Sequence, residues 1–240
     1  MSGWAPRRFW RAARAAPRDG GYTVELDARP VRTPAKAPLV VPTETLATEI
    51  AAEWDAQGET IDPGSMPATR AANAAIDKVA PQRGAVISAL AGYGATDLLC
   101  YRATAPEGLR ARQARAWDPL LGWAAQTLGA RLEVTQGIMP VTQPDESLAA
   151  LADHVAAHGD FELCALDELV ALSGSLVIGL AVATRHRSAA TLWQAAQLDE
   201  SWQIEQWGAD ADAAQSALHK RDAFLRAERF LLLARGESDS

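Results

Sequence analysis

The chain has 240 residues, 48% hydrophobic and 22% charged, which is enough apolar material for one large or two modest cores and excludes a globally disordered chain. Its net charge of −7 is uneven: the first 36 residues carry eight basic against three acidic side chains, a surplus of +5 that leaves −12 on the remaining 204. A mostly acidic body excludes nucleic acid as the main partner, because phosphate binding needs a basic footprint.

The clearest strand is the start of GYTVELDARPVRTPAKAPLVVP (21–42), where Tyr22, Val24 and Leu26 alternate with polar residues. DARP reads as a turn, with Asp27 supplying local hydrogen bonds and Pro30 fixing φ; VRT and LVV are expected as short partner strands. Helix follows. Thr43 suits an N-cap, Glu44 suits the helix dipole, and Leu46, Ile50 and Trp54 share one face. GETIDPGSMP is a turn-rich break, and Pro67 opens the next helix, on which Arg70, Asn73 and Asp77 lie along one side.

Residues 81–94 are expected as helix, 97–103 as a returning strand, and 108–129 as helix with a bend at Asp118-Pro119. A short strand and a loop are expected over 131–144, then helices over 145–158, 161–173, 174–187, 189–207 and 210–234. Strands early and helices late imply an α+β chain, with a β-containing domain over 1–100 and a helical domain over 101–240. Cys100 and Cys164 each sit in an apolar run and read as buried thiols in a reducing compartment. The longest uncharged apolar run, 169–184, is shorter than the ~20 residues a membrane span needs and reads as a buried helix. Neither membrane insertion nor a secretory signal is expected.

Catalytic and ligand motifs are sparse. His154 and His158 are spaced i, i+4, but no HExxH and no other pair with ligand spacing supports a metal site. GYGATD lacks the third glycine of a dinucleotide loop, no phosphate-loop motif is present, and SGS at 173–175 lacks the frame of a nucleophile elbow; small residues there suit close helix packing. Arg110, Arg112 and Arg115 form a short basic patch beside Trp117, read as a solvated helix face. No catalytic residue, metal or cofactor is assigned.

One segment stands out. LDESWQIEQWGADADA (198–213) crowds Trp202 and Trp207 among acids at 199, 200, 205, 210 and 212. On a continuous helix, Trp193, Gln197, Glu200, Ile204 and Trp207 share a stripe, while Leu198, Trp202 and Ala209 lie opposite. A helix apolar on two sides is packed on both. Glu200 between tryptophans then has two readings: an internal salt bridge to Arg185, Arg187 or Arg221, or a carboxylate at the lip of a tryptophan-lined surface, open to a partner's donors. Glu205, Trp207 and Asp210 join it on the wheel as candidate partner-binding residues.

Several long strings in one order resemble the assembly chaperone family that attends the α subunit of the ATP synthase F(1) sector. They are RRFW, the block 21–77, TDLLCYRA (96–103), RQARAWDPLLGWA (112–124), ELVALSGSLVIGLAV (168–182) and LDESWQIEQWG (198–208). The resemblance implies a small antiparallel β-containing N-terminal domain followed by an all-α orthogonal helical bundle. It implies no enzymatic activity, no cofactor, and binding of unassembled α subunit until the β subunit replaces it. The family's acidic helix position corresponds to Glu200, followed by Gln203. A monomer is expected. The shared region begins six residues in, which leaves no room for a presequence and points to a bacterial cytoplasm, or to the mitochondrial matrix in a eukaryotic source. Two rival readings stay open: a small-molecule enzyme with a polar pocket around Arg70, Asn73 and Asp77, and a general holdase.

Overall fold

The computed structural model describes residues 7–208 and 210–237. It is an α+β chain: a three-stranded antiparallel sheet, one short parallel pair of strands, and helices over most of the remaining length. The chain folds into two compact units. The first takes the chain up to Arg83, Asp160–Ala165 and the chain from Arg229; the second takes Gly84–Gly159 and Leu166–Glu228. The first crossing between them falls between Arg83 and Gly84, inside a run of helical turns.

In the first unit, β1 (Ala13–Arg18) and β2 (Gly21–Leu26) form a hairpin in which Arg18 pairs with Gly21 across Asp19-Gly20. Gly20 has φ +87°. A side chain at Gly21 would meet the Val41 carbonyl oxygen at 2.2 Å, so only glycine lets the Tyr22–Val41 bridge form. β3 (Arg29–Pro30) follows a two-residue turn at Asp27-Ala28. The Asp27 carboxylate accepts the backbone N–H groups of Arg11 (2.9 Å) and Ala12 (3.1 Å), which hold its pKa below the usual carboxylate value. The strands expected at VRT and LVV are reduced to the single bridges Arg32–Pro38 and Tyr22–Val41. Pro30, Pro34 and Pro38 remove the donors that a longer ladder needs.

Asp27 and Ala28 both have positive φ, +47° and +68°. That is the backbone of the hairpin turn that favours glycine. Alanine there carries the left-handed penalty of about 1–2 kcal/mol, offset by glycine's greater freedom in the unfolded chain. Ala28→Gly is therefore expected to stabilise the protein by about 0.5–1 kcal/mol. A thermal melt should move up by about 2 °C. A fall in the melting temperature would show that the turn is not strained.

Helix α1 (Glu44–Asp55) begins as expected: Thr43 caps it by accepting the Leu46 N–H at 3.2 Å, and Leu46, Ala47, Ile50 and Ala51 are buried. Trp54 meets the buried Trp10 edge-on at 5.2 Å. Glu53 accepts the N–H groups of Ala68 and Thr69 and the Thr69 hydroxyl, and so caps α2 (Pro67–Ala74) from outside. A π-turn at Ala75–Val79 and a 3₁₀ turn at Ala80–Gln82 lead on from α2.

The second unit contains most of α3 (Arg83–Gly92), β4 (Tyr101–Arg102), α4 (Glu107–Thr127), β5 (Thr135–Gln136), α5 (Asp145–Ala156), most of α6 (Asp160–Ser173), α7 (Leu176–Ala183), α8 (Ala189–Ala196), α9 (Leu198–Trp207) and most of α10 (Ala211–Ala234). The strand expected at 97–103 is a 3₁₀ turn, Leu98–Cys100, followed by β4, which pairs in parallel with β5. α4 runs through Pro119 without the expected break. Pro119 and Arg115, whose carbonyl loses its helical donor, are both exposed, so water can take that carbonyl. Every residue of α7 is buried. Gly179 admits the close approach of α6, since a Cβ there would lie 2.6 Å from Val170. Cys100 is buried, and burial pushes its thiol pKa up to about 12; Cys164, expected to be buried, is only half-buried. Among the described residues no helix is long and apolar enough to cross a membrane.

Candidate docking surface

The expected helix over 189–207 is two helices. α8 ends at Ala196, Gln197 leaves helical geometry (φ −95°, ψ 20°), and α9 starts again at Leu198. The single stripe read from the sequence is therefore split. Trp193, on α8, is buried with its ring 5.3 Å from that of Phe224. Glu200, Ile204 and Trp207, on α9, are exposed.

α4 fixes the orientation of α9. Trp117 of α4 is fully buried and donates its indole N–H to the Ala195 carbonyl at 2.8 Å. Gln113 donates to the Asp199 carboxylate at 2.8 Å, and its own carbonyl accepts the Ala103 N–H. Leu198 is buried. Trp202 is half-buried, with its ring edge against Gly108 and the Arg112 guanidinium 5.7 Å from its centroid. Arg112 also pairs with Glu205 at 2.7 Å. That hydrogen bond holds the Glu205 carboxyl below the ordinary carboxylate range and raises the Arg112 guanidinium.

With residues 198, 199, 202 and 205 turned to α4, the face carrying Glu200, Gln203, Ile204 and Trp207 is left free. The spacing i, i+3, i+4, i+7 puts all four on one side. Trp207 is 79% exposed and Ile204 44%. Glu200 has no ion pair or hydrogen bond among the described residues, so the internal bridges to Arg185, Arg187 or Arg221 do not form. Gly208, with φ +88°, ends α9. Asp210 is exposed and accepts the Ala213 N–H at 2.9 Å, capping α10. Of the five residues singled out, Glu200, Gln203 and Trp207 thus form one open face, Glu205 is engaged by Arg112, and Asp210 caps a helix. Ile204 belongs to that face, and its i+4 spacing from Glu200 is the signal for it.

This arrangement has the ingredients of a protein-binding face: an indole, an aliphatic side chain and an unspent carboxylate on a helix anchored from behind. The rival pocket does not assemble. Asp77 is spent accepting the Thr33 hydroxyl (2.7 Å) and the Ala35 N–H (3.1 Å), Arg70 is exposed, and Asn73 is half-buried with its side-chain oxygen unpartnered. Among the described residues no group of three possible metal ligands gathers.

A family model described as "ATP12 chaperone protein" matches residues 7–125. The crystal structure of Atp12 from Paracoccus denitrificans is 49% identical, with a TM-score of 0.93 over 95% of this chain and 98% of that one. A mutant of the P. denitrificans Atp12p in which lysine replaces an aspartate superposes equally well, at 48% identity. The fission yeast Schizosaccharomyces pombe protein named "Protein atp12, mitochondrial" is 26% identical over 219 residues, covering 86% of this chain and 75% of its own length. With near-complete overlap at close to half identity, the chain belongs to the ATP12 chaperone family, a family of chaperones and not of enzymes.

Proposed function

We propose that the chain is an assembly chaperone of the ATP synthase F(1) sector that holds unassembled α subunit until the β subunit takes its place. The observation that carries this reading is the unpaired, exposed Glu200 beside Ile204 and Trp207 on a helix whose other side is fixed. A free subunit exposes a surface meant for its partner, and such surfaces drive aggregation. The carboxylate of Glu200 offers that surface an acceptor for a guanidinium or backbone donors, Gln203 adds a second polar group, and Ile204 and Trp207 add apolar area. Glu205 and Asp210 flank the face. A partly polar face of this kind suits a contact that must later release. With one relative bacterial and another mitochondrial, the expected setting is a bacterial cytoplasm, or the mitochondrial matrix in a eukaryotic source, and the expected state a monomer.

Light scattering of aggregating α subunit, with and without this protein, tests the reading. Wild-type chain should suppress scattering, and Glu200→Lys should lose most of that protection while its circular dichroism stays unchanged. Trp207→Ala should weaken protection about tenfold in the concentration required, as loss of a central indole does. Undiminished protection by folded Glu200→Lys would remove this face from the mechanism. Equal protection of an unrelated unfolded protein would point instead to a general holdase.

A further inference from the structure

A second feature lies on the other flank of α9. A groove of about 570 Å³ runs between α4, α8 and α9. Leu120, Leu192 and Leu198 are buried beneath it, and its open walls are mostly polar. Arg112, Arg115 and Arg187 stand around it, against a single carboxylate, Glu205. Arg112 is neutralised by Glu205, while Arg115 and Arg187 are exposed and make no ion pair or hydrogen bond among the described residues. Within the 204 residues that carry −12, this is a local concentration of cation.

We propose that this groove binds an acidic segment of the client polypeptide, with carboxylates on Arg115 and Arg187, and that Glu205 occupies Arg112 as an internal stand-in until the client's own carboxylate displaces it. The identity of the client rests on the reading given above. Three observations argue for a peptide carboxylate. Glu205 already shows a carboxylate seated at the rim, at 2.7 Å from Arg112. The acidic body of the chain repels a polyanion such as a nucleic acid backbone. The groove also shares α9 with the Glu200 face, so one client can span both. The pair Arg112–Glu205 is solvent-exposed on both sides, and such pairs exchange partners at little cost.

The test uses the full chain and a fluorescein-labelled amphipathic peptide with Glu and Leu at helical spacing, read by anisotropy. Arg115→Ala/Arg187→Ala should weaken binding by about tenfold or more, and wild-type binding should weaken as salt is raised from 50 to 200 mM. Glu205→Gln should tighten binding about threefold, because it frees Arg112. A merely structural role for Glu205 would leave binding unchanged or reduce it. Unaltered affinity in the double-arginine variant, weaker binding in Glu205→Gln, or tighter binding of a single-stranded oligonucleotide than of the peptide would each overturn the groove. The α-subunit scattering assay separates the two readings. Protection lost in Glu200→Lys but intact in the double-arginine variant overturns the groove alone. Arginine-dependent peptide binding by a chain that fails to protect α subunit upholds the groove and overturns the named client.

Discussion

Asp97→Ala should destabilise the protein by about 3–5 kcal/mol, which for a chain of this size lowers the melting temperature by roughly 10 °C. Asp97 is fully buried, at the start of the segment expected from the sequence as a returning strand. One carboxylate oxygen accepts the Leu99 N–H at 3.0 Å, which starts the 3₁₀ turn leading into β4. The other accepts the Val177 N–H at 3.0 Å, in the first turn of α7. The Ser175 hydroxyl and the Leu176 N–H are also turned to it. The Leu98 N–H meanwhile donates to the Gly174 carbonyl at 3.1 Å, so one side chain and one backbone bond join two segments nearly 80 residues apart. Removing the carboxylate leaves several buried donors without an acceptor, and each such donor costs about 1–3 kcal/mol. Asn is no substitute: its amide nitrogen would face a donor wherever its oxygen did not. Asp97→Asn should therefore recover less than half of the loss, measured by urea unfolding at neutral pH. Full recovery in Asn would show that only one of the two oxygens matters.

The same residue sets a pH dependence. Burial raises the Asp97 carboxyl, its largest influence, and outweighs the hydrogen bonds that favour the ionised form. An acid with a raised folded pKa binds more protons in the folded than in the unfolded chain. Its contribution is fully present below the unfolded value of about 3.9 and is lost as pH rises through the raised folded value. The stability gap between wild type and Asp97→Ala should accordingly be widest at the acid end and narrow as pH climbs out of the carboxylate range. A gap that widens with pH would mean the hydrogen bonds prevail over burial.

Much of the architecture is legible because local and global preferences agree. The alternation of Tyr22, Val24 and Leu26 marks β2, and Thr43, Glu44 and the Leu46–Ile50–Trp54 face mark α1, since each side chain there does what its neighbours require. β1 escapes the alternation rule because its side chains are alanines, a proline and arginines, none buried; its signal is the Asp19-Gly20 pair, a two-residue hairpin turn. The break at Gln197 has no sequence marker, as neither glycine nor proline stands nearby. It belongs to tertiary structure: Trp193 turns inward to Phe224, and Trp117 holds the Ala195 carbonyl. That is also why Trp193 and Glu200 fall together on a wheel yet part in the fold. Whether Glu200 is sealed or open depends on which face of α9 meets α4, and the residues that decide it, Gln113, Arg112 and Gly108, lie some 90 positions earlier. The groove is hidden for the same reason. Arg112 and Arg115 read as a solvated helix face until Arg187 and Glu205 are brought beside them.

Trp117→Ala should cost about 3–5 kcal/mol and should also disable the docking face, an effect that a remote core mutation would not have. Trp117 is the largest fully buried side chain in the described residues. It stacks under the buried Arg102, whose guanidinium lies 5.1 Å from the ring centroid and pairs with Asp118 at 2.8 Å. Its N–H is the one polar link from the middle of α4 to the end of α8, just before the Gln197 break, among the described residues. Truncation opens a cavity, leaves the Ala195 carbonyl without its donor, and frees the junction that aims α9. Trp117→Phe keeps most of the volume and loses the hydrogen bond, so it separates the two effects; about 1–3 kcal/mol is expected. Both variants should be compared with Leu169→Ala, a fully buried α6 residue outside the α4–α8–α9 packing described above, matched in stability loss by temperature. If α9 is aimed by Trp117, the Trp117 variants lose protection of α subunit at temperatures where Leu169→Ala, equally destabilised, retains it. Equal loss in all three would reduce Trp117 to bulk packing, because then only global stability, not the direction in which Glu200 and Trp207 point, would govern binding.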